Sequence, residues 1–196
     1  MKNLFITVDG VDGVGKTTVS KLLAKKLNGI YYKSPSNQFL QTRQKVENPI
    51  NVFGRYCFYR LATQNDSENI KILLESNHVV CDRYIASTFA YHFVMDNDIT
   101  IIHNETNLLK PDLALLLTAN SDTRNSRIIN RNESKNWIEE NSSLLDNIQN
   151  VFLSLELTEF KTDSLKPDEI VNNIIQFIQK YQLDGNVEIR KNFDDS

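Results

Sequence analysis

Cysteine is scarce in this sequence of 196 residues, with Cys57 and Cys81 the only two. Both sit among apolar or aromatic neighbours without metal-site spacing, so they read as core thiols in a reducing compartment. No apolar run approaches the roughly 18 residues that span a membrane, and the first residues carry no secretory pattern. No membrane partner is therefore expected, and the cytoplasm is the expected location. An excess of positive charge is lacking as well: 22 Lys and Arg stand against 25 Asp and Glu, and the isoelectric point is near 5.7. That balance argues against a nucleic-acid partner and for a small anionic ligand. There is no internal repeat. With 40% hydrophobic and 24% charged residues, the chain has the makeup of one globular α/β domain with a full-sized core.

What is present is concentrated near the start. Leu4 to Val8 is a short, uncharged, β-prone run, as a strand buried on both faces would be. Gly10, Gly13 and Gly15 break it, and from Lys16 the chain resumes with Val19, Leu22, Leu23 and Leu27 on one helical face. Gly10 to Thr17 matches the phosphate-loop pattern G-x-x-x-x-G-K-T. Glycines let the backbone N–H groups approach phosphate oxygens, and the helix dipole adds about half a positive charge at its N-terminus. Lys16 supplies a mobile ammonium for the β/γ-phosphates, and the Thr17 hydroxyl is a candidate Mg²⁺ ligand. Gly10, Asp12, Gly13, Val14, Gly15, Lys16, Thr17 and Thr18 are the candidate ATP-binding residues. The plainer alternative is a glycine turn before a basic helix.

Further along, Ile30 to Lys33 reads as a second strand, followed by a short helix with Phe39, Leu40 and Arg43, and by Asn48-Pro49 as punctuation. Val52 to Glu75 reads as two helices or one bent helix, broken around Asn65-Asp66. His78 to Asp82 is a third strand. In an open parallel sheet ligands sit beyond the carboxyl ends of the strands, which places Asp82 and Arg83 on the same edge as the glycine loop. In the next helix Ile85, Phe89 and Phe93 are expected to pack inward, and Tyr84, Ser87 and Tyr91 to form a second face that could line a pocket or simply fill the core.

Asp98 to Leu109 has a helical tendency, and Leu113 to Leu117 is a fourth strand. Ser121-Asp122 is expected to cap a helix bearing Arg124, Arg127 and Arg131. Residues 132–143, around Trp137, read as a mobile segment. A helix over Leu144 to Leu155 leads to a fifth strand near Leu157 to Phe160, and Pro167 starts a last helix with the apolar stripe Ile170, Val171, Ile174, Ile175 and Ile178. Residues 184–196 read as a polar, frayed tail. Five strands alternating with helices imply a parallel sheet covered on both faces.

The stretches Gly-Val-Asp-Gly-Val-Gly-Lys-Thr-Thr at 10–18, Asp-Arg-Tyr-Ile-Ala-Ser-Thr-Phe-Ala-Tyr-His at 82–92 and Lys-Pro-Asp-Leu at 110–113, in that order, make the chain resemble the thymidylate kinase family over nearly its whole length. The resemblance implies the P-loop NTPase fold, a three-layer α/β/α sandwich with a five-stranded parallel sheet and a helical lid at about 127–143, in a single domain over 1–183. It implies transfer of phosphate from ATP to dTMP with Mg²⁺, nucleotides as small-molecule partners, and a homodimer. By the same resemblance Asp12 contacts the deoxyribose 3′-hydroxyl and Arg83 clamps the transferring phosphates. Ser87 and Tyr91 match base and sugar contacts, Tyr91 being placed to reject a ribose 2′-hydroxyl. Phe58 and Arg60 fall near the base-reading aromatic and arginine, and Arg43 is a further candidate substrate ligand.

Three departures bear on the acceptor base. Lys33-Ser34-Pro35-Ser36-Asn37 replaces Arg-Glu-Pro-Gly-Gly, His92 replaces the usual glutamine, and the Asp-Arg pair of the lid is absent, with only Lys135 and Asn136 nearby. Gly13 stands where some members carry an arginine, so Arg127 and Arg131, four residues apart, are the candidates to meet charge on the transferring group; a solvated basic face is the alternative for both. Thr17 and Asp82 are the metal candidates, and the alternative for Asp82 and Arg83 is a surface ion pair worth about 1 kcal/mol or less. Two other functions share these motifs. A deoxynucleoside kinase would need Asp82 to take the proton of a 5′-hydroxyl. A nucleotide-dependent switch or NTPase would need no acceptor, although no Asn-Lys-x-Asp guanine-reading motif or transporter signature is present.

Overall fold

A computed structural model describes residues 2–47, 51–96, 98–99, 107–131 and 134–183, with 181–183 as backbone only. Asn48-Pro49, most of the helical tendency at 98–109, part of the expected lid and the whole 184–196 tail lie outside the described residues. The order is β1 (Phe5–Asp9), α1 (Lys16–Lys26), β2 (Ile30–Lys33), a 3-10 turn (Asn37–Phe39), α2 (Leu40–Val46), α3 (Val52–Leu73), β3 (Val79–Asp82), α4 (Ile85–Phe93), β4 (Leu113–Thr118), α5 (Ser121–Ile129), α6 (Ser142–Ser154), β5 (Thr158–Lys161) and α7 (Pro167–Leu183).

All four strand pairings are parallel, and the sheet runs β2-β3-β1-β4-β5. Strand β1 is buried along its whole length. Its residues alternate between layers as a pleated strand requires. Phe5 shares a cluster with Val79, Cys81 and Ile70 of α3, whereas Ile6 and Val8 join Val19 and Leu23 of α1. Helix α1 packs on α7, and α4 packs between α3 and α6. The register pairs Val8 with Asp82, so β1 and β3 end together and deliver Asp9 and Asp82 to one edge.

Several local expectations are corrected. Helix α3 runs unbroken through Asn65-Asp66, because the Asp66 carboxylate accepts from Tyr32 Oη (2.9 Å) and Ser36 N (3.1 Å) instead of competing for its own backbone. Cys57 is exposed, and only Cys81 is buried. The stripe Ile85, Phe89 and Phe93 is half-buried, with Phe89 and Phe93 stacked at 5.2 Å, and the fully buried side of α4 carries Ser87, Thr88, Tyr91 and His92. Helix α5 is capped by Asn120, whose side chain accepts from Thr123 N (2.8 Å), and Ser121 is already helical.

Candidate active site

The ends of β1 and β3 open onto a cavity of about 730 Å³. The loop from Asp12 to Thr17 forms one side of it. Helix α1 starts from Gly15 in the left-handed conformation with no side-chain cap, which leaves its first-turn N–H groups to a ligand. Gly13 is held at φ 86, and a Cβ there would stand 2.8 Å from Arg124 O and 3.0 Å from Arg124 Cα. Backbone cannot yield as a side chain does, so Gly13→Ala is expected to destabilise the fold by about 2 kcal/mol. A melting curve, with nucleotide binding read in parallel, checks this. Gly10 does not line the cavity; a Cβ on it would meet Leu117 O at 2.4 Å, so it serves the close approach of β1 to β4.

Lys16 is buried, with Nζ donating to Val11 O (2.7 Å) and 3.7 Å from Asp12 Oδ1. Burial, joined by the Arg83 guanidinium, pulls its ammonium down to about 8 against the attraction of Asp12, Asp82 and Asp9. Arg83 holds φ 69 and donates its N–H to Val8 O (3.0 Å). Its guanidinium pairs with Asp12 and lies over the Tyr91 ring at 5.1 Å. Tyr91 Oη donates to the other Asp12 oxygen (3.0 Å). Burial works against the Asp12 carboxylate, but Arg83 and Lys16 hold it well below the usual range. Asp12, Lys16, Arg83 and Tyr91, spread over 80 residues of sequence, are thus one connected group.

Thr17 Oγ1 donates to Asp82 Oδ2 (2.6 Å), as does Tyr31 Oη (3.2 Å), and Asp82 Oδ1 is buried without a partner among the described residues. A hydroxyl and an orphaned carboxylate oxygen fit a hard divalent cation. Among the described residues no group of three or more His, Cys, Asp or Glu is placed to hold a metal. Such a cation would therefore complete its shell with phosphate oxygens and water, as Mg²⁺ commonly does.

Asp9 was not singled out in the sequence. It is fully buried, and its Oδ1 accepts from Tyr84 N (3.1 Å), Ser87 N (3.1 Å) and Ser87 Oγ (2.5 Å). Burial raises its carboxyl, offset in part by those donors. The signal that found Asp82, a carboxylate closing a buried strand, applies equally to Asp9. Ser87, a candidate substrate ligand, lines the cavity, and its hydroxyl donates to Asp9, which ties the start of α4 to the end of β1.

On the far wall, the helical step selects different residues from those expected. Arg55 and Tyr59, one turn apart on α3, line the cavity, whereas Phe58 and Arg60 do not. Phe58 turns to the Phe39 ring (6.1 Å), and Arg60 Nη1 donates to Gln64 Oε1 (3.2 Å). Glu47 gathers Arg43 Nε (3.2 Å), Arg55 Nη2 (3.3 Å) and the Tyr59 hydroxyl. Arg43, a candidate ligand, does line the cavity.

The three arginines around α5 divide. Arg124 is buried and pairs with Asp146 and with Gln149 Oε1 (2.9 Å), a structural role. Arg127 donates to Thr162 Oγ1 (2.9 Å) and Thr162 O (2.6 Å), and lies 3.4 Å from the loop carbonyls of Gly13 and Val14. Arg131 lies beyond the end of α5 and donates to Glu139 Oε1 (2.6 Å), with its side chain 37% exposed. In the segment around Trp137, Asn136 Oδ1 accepts from Ile138 N and Glu139 N, and Ile138 and Glu139 are buried. Arg127, Arg131 and Asn136 line the cavity. Lys135 is exposed.

Comparison with known proteins bears on the family and the fold. The thymidylate kinase family profile matches residues 8–174. A probable thymidylate kinase of Methanocaldococcus jannaschii is 32% identical over 186 residues, covering 90% of this chain and 96% of that protein. A thymidylate kinase of Brachyspira hyodysenteriae is 26% identical over 89% of this chain and 94% of its own length. Among solved structures, thymidylate kinase from Candida albicans superposes with a TM-score of 0.74 at 18% identity, covering 95% and 94% of the two chains. Deoxyadenosine kinase from M. mycoides superposes with 0.70 at 18% identity, covering 90% and 100%. These neighbours share the fold of P-loop kinases, and no described helix is long and apolar enough to cross a membrane. The chain belongs to the thymidylate kinase family.

Proposed function

We propose that this protein transfers the γ-phosphoryl group of ATP to the phosphate of dTMP, giving dTDP. The observation that carries the reading is the single cavity in which the phosphate loop with Lys16 stands against the Asp12–Arg83–Tyr91 group. Phosphoryl transfer needs positioning and charge neutralisation more than covalent chemistry. A monophosphate acceptor oxygen is already a nucleophile, so no general base is required. Lys16 and the loop N–H groups take the donor phosphates, and Arg83 lies between donor and acceptor. Asp12 orients Arg83 and takes the deoxyribose 3′-hydroxyl, and the Tyr91 ring closes the space a 2′-hydroxyl would need. Thr17 and Asp82 would hold Mg²⁺, which when bound neutralises charge on the phosphates. The working unit is one domain over 1–183 with 127–143 as its lid. The reaction belongs to the cytoplasm, and the protein acts as a homodimer. Phe53 (54% exposed) and Leu61 (65%), with exposed Cys57 between them on α3, supply an apolar stripe for the pairing.

The test supplies ATP with each deoxynucleoside and each deoxynucleoside monophosphate in turn, and reads ADP and phosphorylated product. Formation of dTDP with dTMP is the expected result. Product only from a nucleoside would replace this reading by a nucleoside kinase, and ADP formed regardless of acceptor by an NTPase.

The arginines give a sharper check. Arg131→Ala is expected to lower the single-turnover rate by about a hundredfold with less than about threefold change in dTMP affinity, since its contact would form around the reacting phosphates. Arg127→Ala should instead lower the melting temperature by about 5 °C, because its fork ties Thr162 to the loop. Lys135→Ala should change the rate by less than about threefold, as a lone flexible charge. Three unaffected rates would leave the α5 segment as scaffold.

A further inference from the structure

Asp82 is held from behind as well as from the cavity. Thr17 Oγ1 donates to its Oδ2 at 2.6 Å from the cavity side, and a second hydroxyl, Tyr31 Oη, donates to the same oxygen at 3.2 Å. Thr17 and Asp82 line the cavity and Tyr31 does not. The phenol therefore meets the site through other side chains rather than directly. Its placement follows from the sheet. Strand β2 pairs with β3 in a register that sets Tyr31 beside Val80 and Lys33 beside Asp82. Tyr31 thus stands on the same face of the sheet as Asp82, one pleat further from the cavity edge. A side chain as long as tyrosine spans that pleat. The ring packs against the cluster beneath α1 that includes Val80. From α1, Lys21, one turn after Thr17, sets its Nζ 5.4 Å from the ring centroid. Strand and helix together seat the ring, and the hydroxyl is the end that reaches the carboxylate.

The hydrogen-bond count at Asp82 is lopsided. A carboxylate can only accept, so both hydroxyl hydrogens go to Oδ2. Oδ1 is buried and has no partner among the described residues. Turning the carboxylate over would bring Oδ1 to the two hydroxyls only after both bonds to Oδ2 had broken. The pair of donors therefore selects which oxygen stays free, and Thr17 holds that choice less firmly alone. Its Oγ1 is itself a candidate cation ligand, so it must offer a lone pair to the cation while its hydrogen stays on Asp82. Tyr31 has no such second duty. A bare, buried carboxylate oxygen is costly until a positive charge meets it, and the free oxygen lies where the cation is expected.

We propose that Tyr31 is a positioning residue for the divalent cation: its hydroxyl pins Asp82 Oδ2, so that Oδ1 stays turned toward the cation, directly or through a water. The assignment rests on the reading of Thr17 and Asp82 as the metal residues. Groups that orient a metal ligand without touching the metal typically carry a ten- to hundredfold share of the affinity. Here the lower end applies, since the Thr17 hydroxyl remains on the same oxygen when Tyr31 is changed. Lys21 shares the ring but not the hydrogen bond, and so separates the seat of the phenol from its chemistry.

The experiment uses the full chain saturated with ADP and titrated with Mn²⁺, the free ion being read by electron paramagnetic resonance. Tyr31→Phe, Lys21→Ala and Asp82→Asn are run beside the wild type, and ADP affinity is measured separately in EDTA. Tyr31→Phe should bind Mn²⁺ about tenfold more weakly in the ADP complex, with ADP affinity in EDTA within about twofold of the wild type. Activity that this variant loses at low Mg²⁺ should return as Mg²⁺ is raised. Lys21→Ala should keep Mn²⁺ affinity within about twofold. Tyr31→Met, likewise without a donor, should show the same loss as Tyr31→Phe and replaces it if the phenylalanine variant does not fold. Unchanged Mn²⁺ affinity in these variants, with a loss in Asp82→Asn, overturns the role of Tyr31 and leaves the metal reading standing. No loss in Asp82→Asn overturns both, because Tyr31 acts through that carboxylate. Equal losses in Tyr31→Phe and Lys21→Ala, or a loss of ADP affinity in EDTA as large as that of Mn²⁺, also overturn the proposal, since the seat of the ring would then be the cause.

Discussion

Lys16→Ala is expected to lower kcat by roughly a thousandfold, the loss that follows when one preorganised charge is removed from a water-excluded site. The fold should survive. Lys16 makes one hydrogen bond, to Val11 O, and sits 3.7 Å from Asp12. Asp12 keeps Arg83 and Tyr91 after the substitution. Because burial holds the Lys16 ammonium down to about 8, the unfolded chain binds the proton more tightly than the folded one. Between about 8 and the ordinary lysine value the unfolded state carries more protons, so stability contributed by this group rises with pH across that window, and its cost is fully present below it. Without nucleotide, the variant should therefore melt at the same temperature as the wild type or higher at pH 7, and the gain should shrink by pH 10. With ATP present the order should reverse, since ligand stabilisation is lost with the ammonium. Paired melts and steady-state rates decide it. Near wild-type turnover in the folded variant would overturn the phosphate-loop assignment.

Much of this architecture is legible because the sheet is buried. Strands β1, β3 and β4 are short apolar runs between helices, and their order follows from the alternation. The carboxyl-edge rule then located Asp82 and Arg83. What failed was the binary pattern of α3. Its inner face carries Arg55, Thr63, Asp66 and Ser67, all buried, whereas Phe53, Leu61 and Ile72 point outward. A buried face rich in polar residues, with large apolar side chains turned to solvent, inverts the usual reading. That inversion explains why the helix was expected to break at Asn65-Asp66 and why Cys57 was placed in the core. The same inversion hid Arg55 and Tyr59. Arg55 becomes a cavity residue only through Glu47, Tyr59 and Trp137, contacts that cross from α2 to the segment after α5. No local spacing encodes such a meeting. Asp9 was missed for a different reason: the following glycine pattern claimed the stretch, although a carboxylate at the end of a buried strand needs a partner wherever it occurs.

Arg83 carries the second large expected effect, and its backbone decides which variant tests it. At φ 69 any residue with a Cβ is strained, Arg83 included, and Arg83→Ala would keep that strain without the Asp12 and Tyr91 contacts that hold the native side chain in place. Arg83→Gly removes the guanidinium while relieving that strain. Arg83→Gly is expected to lower kcat/KM for dTMP by about a thousandfold or more, because the group lies where donor and acceptor phosphates meet on the proposed reading. Arg83→Lys should recover at most about tenfold of this, since an ammonium cannot reproduce a planar fork that pairs with Asp12 and lies over the Tyr91 ring. The loss also reaches Asp12. Burial pushes that carboxyl up, and Arg83 is the strongest influence holding it down, ahead of Lys16 and the Tyr91 hydroxyl. Without Arg83 the Asp12 value must rise. In the wild type its stabilising contribution is present above the ordinary carboxylate range and is lost only as pH falls through the depressed value; in Arg83→Gly that contribution is smaller and disappears at higher pH. The acid limb of the pH–rate profile should move upward in step with it. Arg83→Gly with a wild-type acid limb would show that Asp12 takes its charge state from elsewhere, and a variant with unchanged kcat/KM would remove Arg83 from the reaction.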